Sequence, residues 1–118
     1  MAEAALCMVW GAPVPGREKQ ALNAYNDAMQ YWAGLQQEGK IERFDVTVVA
    51  PSGGEVAGFL VTRGTAEQID SLRRSKEYQR QVTRVQLVVS HLGVSDAYVD
   101  EGIAQIMAQY QEVIAQEA

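Results

Sequence analysis

The hydrophobic positions of this chain change period several times, and each change marks an element. From Ala4 to Trp10 nearly every residue is apolar, and Gly11-Ala12-Pro13-Val14-Pro15-Gly16 closes the run with turn formers, which predicts a buried strand. Between Arg17 and Glu38 the pattern turns helical. Leu22, Tyr25, Met29, Trp32 and Leu35 recur at steps of three and four, polar residues such as Glu18, Asn23 and Asp27 fall elsewhere, and Gly39 follows as a stop. Ile41 to Val49 alternates, with Phe44, Val46 and Val48 on one face and Arg43, Asp45 and Thr47 on the other, as a half-buried strand does. Pro51-Ser52-Gly53-Gly54 turns the chain, and Val56 to Thr62 is apolar at both parities around Gly58, predicting a third strand in a hairpin with the second.

Thr65-Ala66-Glu67-Gln68 fits a capping box, so a helix begins there. Its apolar face runs through Ile69, Leu72, Tyr78, Val82, Val85 and Val89, with Ser75 as a point of restart or bend. Leu92 to Val99 predicts a short fourth strand. After Asp100, as a cap, Ile103, Ile106, Tyr110 and Val113 line one side of a last helix. The order βαββαβ plus a terminal helix is the split βαβ pattern, an α+β ferredoxin-like sandwich in a single domain over residues 1–118. Its central strands, the first and third, are greasy on both faces, while helices cover only one. A second copy of the chain stacked sheet to sheet is the simplest cover for the other face, and the terminal helix can lie on its own sheet or embrace that partner.

The first strand, the Pro15-Gly16-Arg17-Glu18 entry to the first helix, Gly39-Lys40-Ile41-Glu42-Arg43-Phe44, Gly58-Phe59-Leu60-Val61 and Leu92-Gly93-Val94 together resemble the dimeric α+β barrel proteins, and most of all small bacterial members without assigned function. The resemblance spans about residues 4–99 in order of elements. It implies a homodimer with a pocket between helices and sheet, in a fold that hosts cofactor-free monooxygenases acting on polyketide quinols, haem-degrading and chlorite-decomposing enzymes, lactone isomerases and ligand-sensing domains. The haem-degrading members resemble one another in an Asn, Trp and His set. Here no Trp falls on the third strand, since Trp10 and Trp32 lie elsewhere, so haem is disfavoured and no cofactor is expected.

Charge narrows the partners. With 10 Lys and Arg against 15 Asp and Glu, the formal net charge is -5, which disfavours nucleic acid because phosphate binding needs a cationic surplus. The lone Cys7 allows no intrachain disulfide, and the short, acidic N-terminal apolar run neither spans a bilayer nor has a basic n-region, so a cytoplasmic protein without a membrane segment is expected.

Several residues could carry chemistry, each beside a plainer role. His91, the single histidine, could act as general base or axial ligand at a pocket edge, or simply sit near a helix C-terminus. Arg43 and Asp45, with Thr47, could face a substrate, or guard an edge strand or a dimer contact. Trp10, Tyr25, Trp32 and Tyr78 could wall a pocket for a flat apolar ligand, or fill the core. Arg73, Arg74, Lys76, Arg80 and Arg84 read as a solvated helix face with Asp70 and Glu77 in pairing reach. No His, Cys or carboxylate group has zinc spacing. Two readings follow: a dimer that binds a small apolar ligand or serves as an interaction module, and a cofactor-free oxygenase or isomerase in which His91, with Tyr78 or Arg43, moves protons or stabilises an anion.

Overall fold

In the computed structural model, which describes residues 3–117, the chain runs β1 (Ala4–Trp10), α1 (Glu18–Gln37), β2 (Arg43–Val48), β3 (Gly58–Gly64), α2 (Ala66–Arg74), α3 (Lys76–Gln86), β4 (Gly93–Tyr98) and α4 (Glu101–Glu117). The four strands form one sheet in the order β2-β3-β1-β4, antiparallel at every pairing. The two strands that are apolar at both parities thus take the centre, where both faces are furthest from water. In register, Leu6 lies opposite Thr62 and Met8 opposite Leu60, so their pleat points toward the helices, while Cys7 opposite Val61 and Val9 opposite Phe59 point away.

On the helix side, Leu6, Met8 and Leu60 pack against Trp32, Leu35, Ile69, Leu72 and Tyr78, all buried. Each such side chain contributes about 1.5–3 kcal/mol by leaving water. Ile41 joins them from the loop before β2, which begins at Arg43 rather than at Ile41. The third strand starts two residues late as well: Val56 is exposed, and Gly58 is its first residue.

The capping box at Thr65 is present. Thr65 Oγ1 accepts from the Gln68 amide at 3.1 Å, and Gln68 Oε1 accepts from the Thr65 amide at 2.8 Å. The Gln68 side chain also donates to the Gly39 carbonyl at 3.1 Å, tying the end of α1 to the start of α2. At Ser75, read from the sequence as a point of restart or bend, the helix divides into two. The Ser75 backbone is extended (φ -73, ψ 142), and its amide donates to the Leu72 carbonyl to close α2 while its Oγ accepts from the Tyr78 amide at 3.2 Å to open α3. The break lets Tyr78 turn inward against Trp32.

On the far side of the sheet nothing from this chain lies over the middle of β1 and β3, whose Cys7, Val9, Phe59 and Val61 are half-buried by their neighbours alone. The charges on this side neutralise one another: Asp45 Oδ2 is 2.7 Å from Arg63 Nη1 and 3.8 Å from Arg43 Nε, and Asp100 Oδ2 is 4.0 Å from Arg63 Nε. Asp100, expected as a cap, takes a left-handed backbone (φ 50) at the turn into α4. No helix among the described residues is long and apolar enough to cross a membrane.

Replacing Ser75 with Ala removes the side-chain acceptor at the start of α3 and is expected to lower stability by about 1 kcal/mol. Urea unfolding checks this, and an unchanged midpoint would show that the Ser75 cap adds nothing.

Candidate functional site

Helix α1 approaches the sheet through small residues. The face read from the sequence as Leu22, Tyr25 and Met29 is rolled by one position, so that Ala21, Ala24 and Ala28 are buried in line with Trp32 and Leu35. Leu22 is left 61% exposed. Methyl groups are too short to fill the space between a helix and a sheet, and a cavity of about 250 Å³ remains above Met8 and Leu60. Trp32 closes its floor, Tyr25 and Met29 form one wall, and Val85 and Val88 from α3 and the segment after it form the other.

Trp10, at the end of β1, completes the lining. Its indole lies flat on β3 because position 58 is glycine: a Cβ there would stand 2.5 Å from Trp10 Cζ2. The mouth is made by the Gly11–Pro13 segment and Glu18, whose Oε2 accepts from the Gly16 amide at 3.3 Å. That turn is held by pairing with the chain after α3, through Gly11 N–H to the Ser90 carbonyl at 2.7 Å and Val14 N–H to the Val88 carbonyl at 2.9 Å.

The structure therefore brings Trp10, Tyr25 and Trp32 together around one cavity and distributes the other singled-out residues elsewhere. Tyr78 stands behind Trp32, edge to face at 6.3 Å between ring centres, and does not line the cavity. Burial raises its phenol pKa above the ordinary value, with the Arg73 guanidinium opposing that and the Asp96 carboxylate adding to it. His91 is exposed in the turn before β4, in a left-handed conformation (φ 53), outside the cavity lining. Arg43 and Asp45 lie on the opposite face of the sheet, paired at 3.8 Å. Among the described lining residues the ionisable side chains are Glu18 and Tyr25, so the lining is mainly apolar and aromatic and brings together no paired acid and base. Among the described residues no group of three or more His, Cys, Asp or Glu could hold a metal ion.

Reading the sequence missed Glu18, Met8, Leu60 and the alanines. The available signal was the Ala21, Ala24, Ala28 spacing, which coincides with a helical face as well as the larger residues do.

No protein-family model matches the chain, and no curated protein sequence matches it. Solved structures do match its fold. A dimeric protein of unknown function and ferredoxin-like fold from Bacteroides fragilis superposes with a TM-score of 0.60 at 10% identity, covering 81% of this chain and 96% of that one. A dimeric ferredoxin-like protein of unknown function from Jannaschia gives 0.59 at 16%, covering 82% and 98%. SnoaB, a cofactor-independent oxygenase from Streptomyces nogalater, gives 0.56 at 7%, covering 85% and 95%. At these identities the likeness defines the architecture alone, which is ferredoxin-like.

Burial raises the Tyr31 phenol as it does that of Tyr78. Below pH about 10 both rings are neutral whether the chain is folded or not. Above it the unfolded chain releases protons that the folded chain retains, so stability is lost as pH rises toward the folded-state values. The urea midpoint is expected to fall in that alkaline range more steeply for the wild type than for Tyr31→Phe/Tyr78→Phe; equal slopes would show that these two phenols carry none of the dependence.

Proposed function

We propose that this protein is a cytoplasmic homodimer, paired sheet to sheet, that holds a small uncharged apolar molecule in the α1 cavity of each subunit. The observation that carries the ligand reading is the cavity itself: about 250 Å³ with aromatic and aliphatic walls, near the lower end of the size of small-molecule sites and with polar groups at its tips alone. Flat aromatic ligands suit it best, since Trp10, Tyr25 and Trp32 offer ring faces and edges.

The pairing rests on two supports. Matched neighbours with the same fold are dimeric, and the outer face of the sheet is apolar at its centre and electrically balanced at its rim, where Arg43 and Arg63 offset Asp45 and Asp100. In a chain of net charge -5, a neutral face is where two like-charged copies approach with least repulsion. A standard interface of roughly 1,600 Å² would bury it. The free Cys7 on that face suits a reducing compartment.

A second reading, a cofactor-independent oxygenase or isomerase, draws on the fold shared with SnoaB and on the Tyr25 phenol and Glu18 carboxylate at the cavity. It would place an aromatic, polyketide-like substrate in the same space.

Native mass spectrometry of the purified protein is expected to return a dimer with small molecules bound. Ala24→Leu, which extends a side chain into the cavity, is expected to weaken binding of an apolar fluorescent probe by about tenfold or more while the fold persists; unchanged affinity would remove the cavity as the site. Val61→Asp places an unpaired charge in the sheet face and is expected to yield monomers by sedimentation. A Val61→Asp chain that remains dimeric would discard the sheet-to-sheet pairing. Dioxygen uptake with an aromatic hydroquinone, abolished by Ala24→Leu, would select the second reading.

A further inference from the structure

Helix α4 is left without cover. It borders its own domain along its first half, where Gly102, Gln105, Ile106 and Gln109 face a groove against β4 and α2, and from Tyr110 onward every described residue is exposed. A stripe of Ile103, Met107, Tyr110, Val113 and Ile114 is exposed by 48%, 52%, 63%, 49% and 52%; its Val113 continues the line of Ile106, and the other four lie about a third of a turn round from the groove side. The chain is correspondingly long for its size. Its radius of gyration is 16.2 Å, with extents of 53 × 36 × 22 Å, where a compact domain of this length has about 13–14 Å.

We propose that α4 is an arm whose apolar stripe seats on a second copy of this chain, extending the sheet-to-sheet interface on which this inference rests. Its own sheet is not available as the cover. A Cβ at Gly102 would run into the Glu3 carbonyl oxygen, the Gly102 amide donates to the Val99 carbonyl at 2.8 Å, and Val99 is buried with Ala5. The root of α4 is therefore clamped to the N-terminal end of β1, and swinging the helix over its own sheet would break that clamp. The same root places α4 beside the pairing face, since Ala5 and Val61 in the Val99 cluster, and Arg63 next to Asp100, belong to that face.

The stripe exposes roughly 500 Å² of largely apolar surface, more than half of the ~800 Å² that each partner brings to a standard interface. Its receiver is the partner's body rather than the partner's own α4. The helix carries Glu101, Glu112 and Glu117 and no Lys or Arg, so two of them side by side would gather carboxylates without a counter-charge.

Sedimentation equilibrium over a dilution series separates the possibilities. Met107→Asp/Tyr110→Asp, on the stripe, is expected to raise the dimer dissociation constant by about 100-fold or more. Ala108→Asp/Gln116→Asp, which adds the same charge on the other side of α4, is expected to change it by less than about threefold. Equal effects of the two pairs overturn the arm, while a Val61→Asp chain that dissociates keeps the sheet pairing intact. Conversely, a stripe variant that dissociates beside a dimeric Val61→Asp chain upholds the arm and removes the sheet pairing. Hydrogen exchange on the wild type gives an independent reading. Amides from Tyr110 to Glu117 are expected to gain protection as concentration rises, and exchange that is fast at every concentration overturns the arm.

Discussion

A sheet must hide whatever apolar side chains its strands carry, and β1 and β3 carry them on both faces. Placing these two strands at the centre satisfies one half of that demand, because α1, α2 and α3 then lie over Leu6, Met8 and Leu60. The other half, Cys7, Val9, Phe59 and Val61, stays only half-buried within the chain. Most other features are arranged around this division. The edge strands β2 and β4 carry the polar residues, the helices are capped so that their buried faces keep register with the sheet, and the charges beside the open face are paired within it.

That pairing separates two tasks on opposite sides of the same strands. One side of β1 lines a cavity with Met8 and Trp10, and the other carries Cys7 and Val9 on the uncovered face. Neither task uses a strongly polar group at its centre. Arg43 and Asp45, which as isolated residues suggest a charged site, work with Arg63 and Asp100 as a neutral rim, and a rim of matched charges can be drawn out of water at smaller cost than single ones.

The order of elements and the identity of the central strands were legible because alternation and apolar runs report burial directly. The capping box at Thr65 was legible for a local reason: its hydrogen bonds join residues three apart. The position of α1 was not. A helix whose large residues sit at Leu22, Tyr25 and Met29 looks as though it buries them, yet the face that buries Trp32 and Leu35 carries Ala21, Ala24 and Ala28 inward with it. Composition gives no weight to alanine in such a choice, and so the cavity was foreseen through its aromatic walls Trp10, Tyr25 and Trp32 but not through the residues that create it. His91 and Tyr78 stood out by residue type alone. Their distances from the cavity depend on the turn before β4 and on the break at Ser75, which no periodicity encodes.

The three alanines have a consequence for descent. The hydrogen-bonded ladder, the caps and the packing around Ile69 and Leu72 all stand whether those methyls face empty space or a guest. The vestibule they leave can therefore widen, narrow or vanish by single codon changes that leave the ladder and the caps in place. Lineages built on one backbone are thus free to exchange one occupant for another.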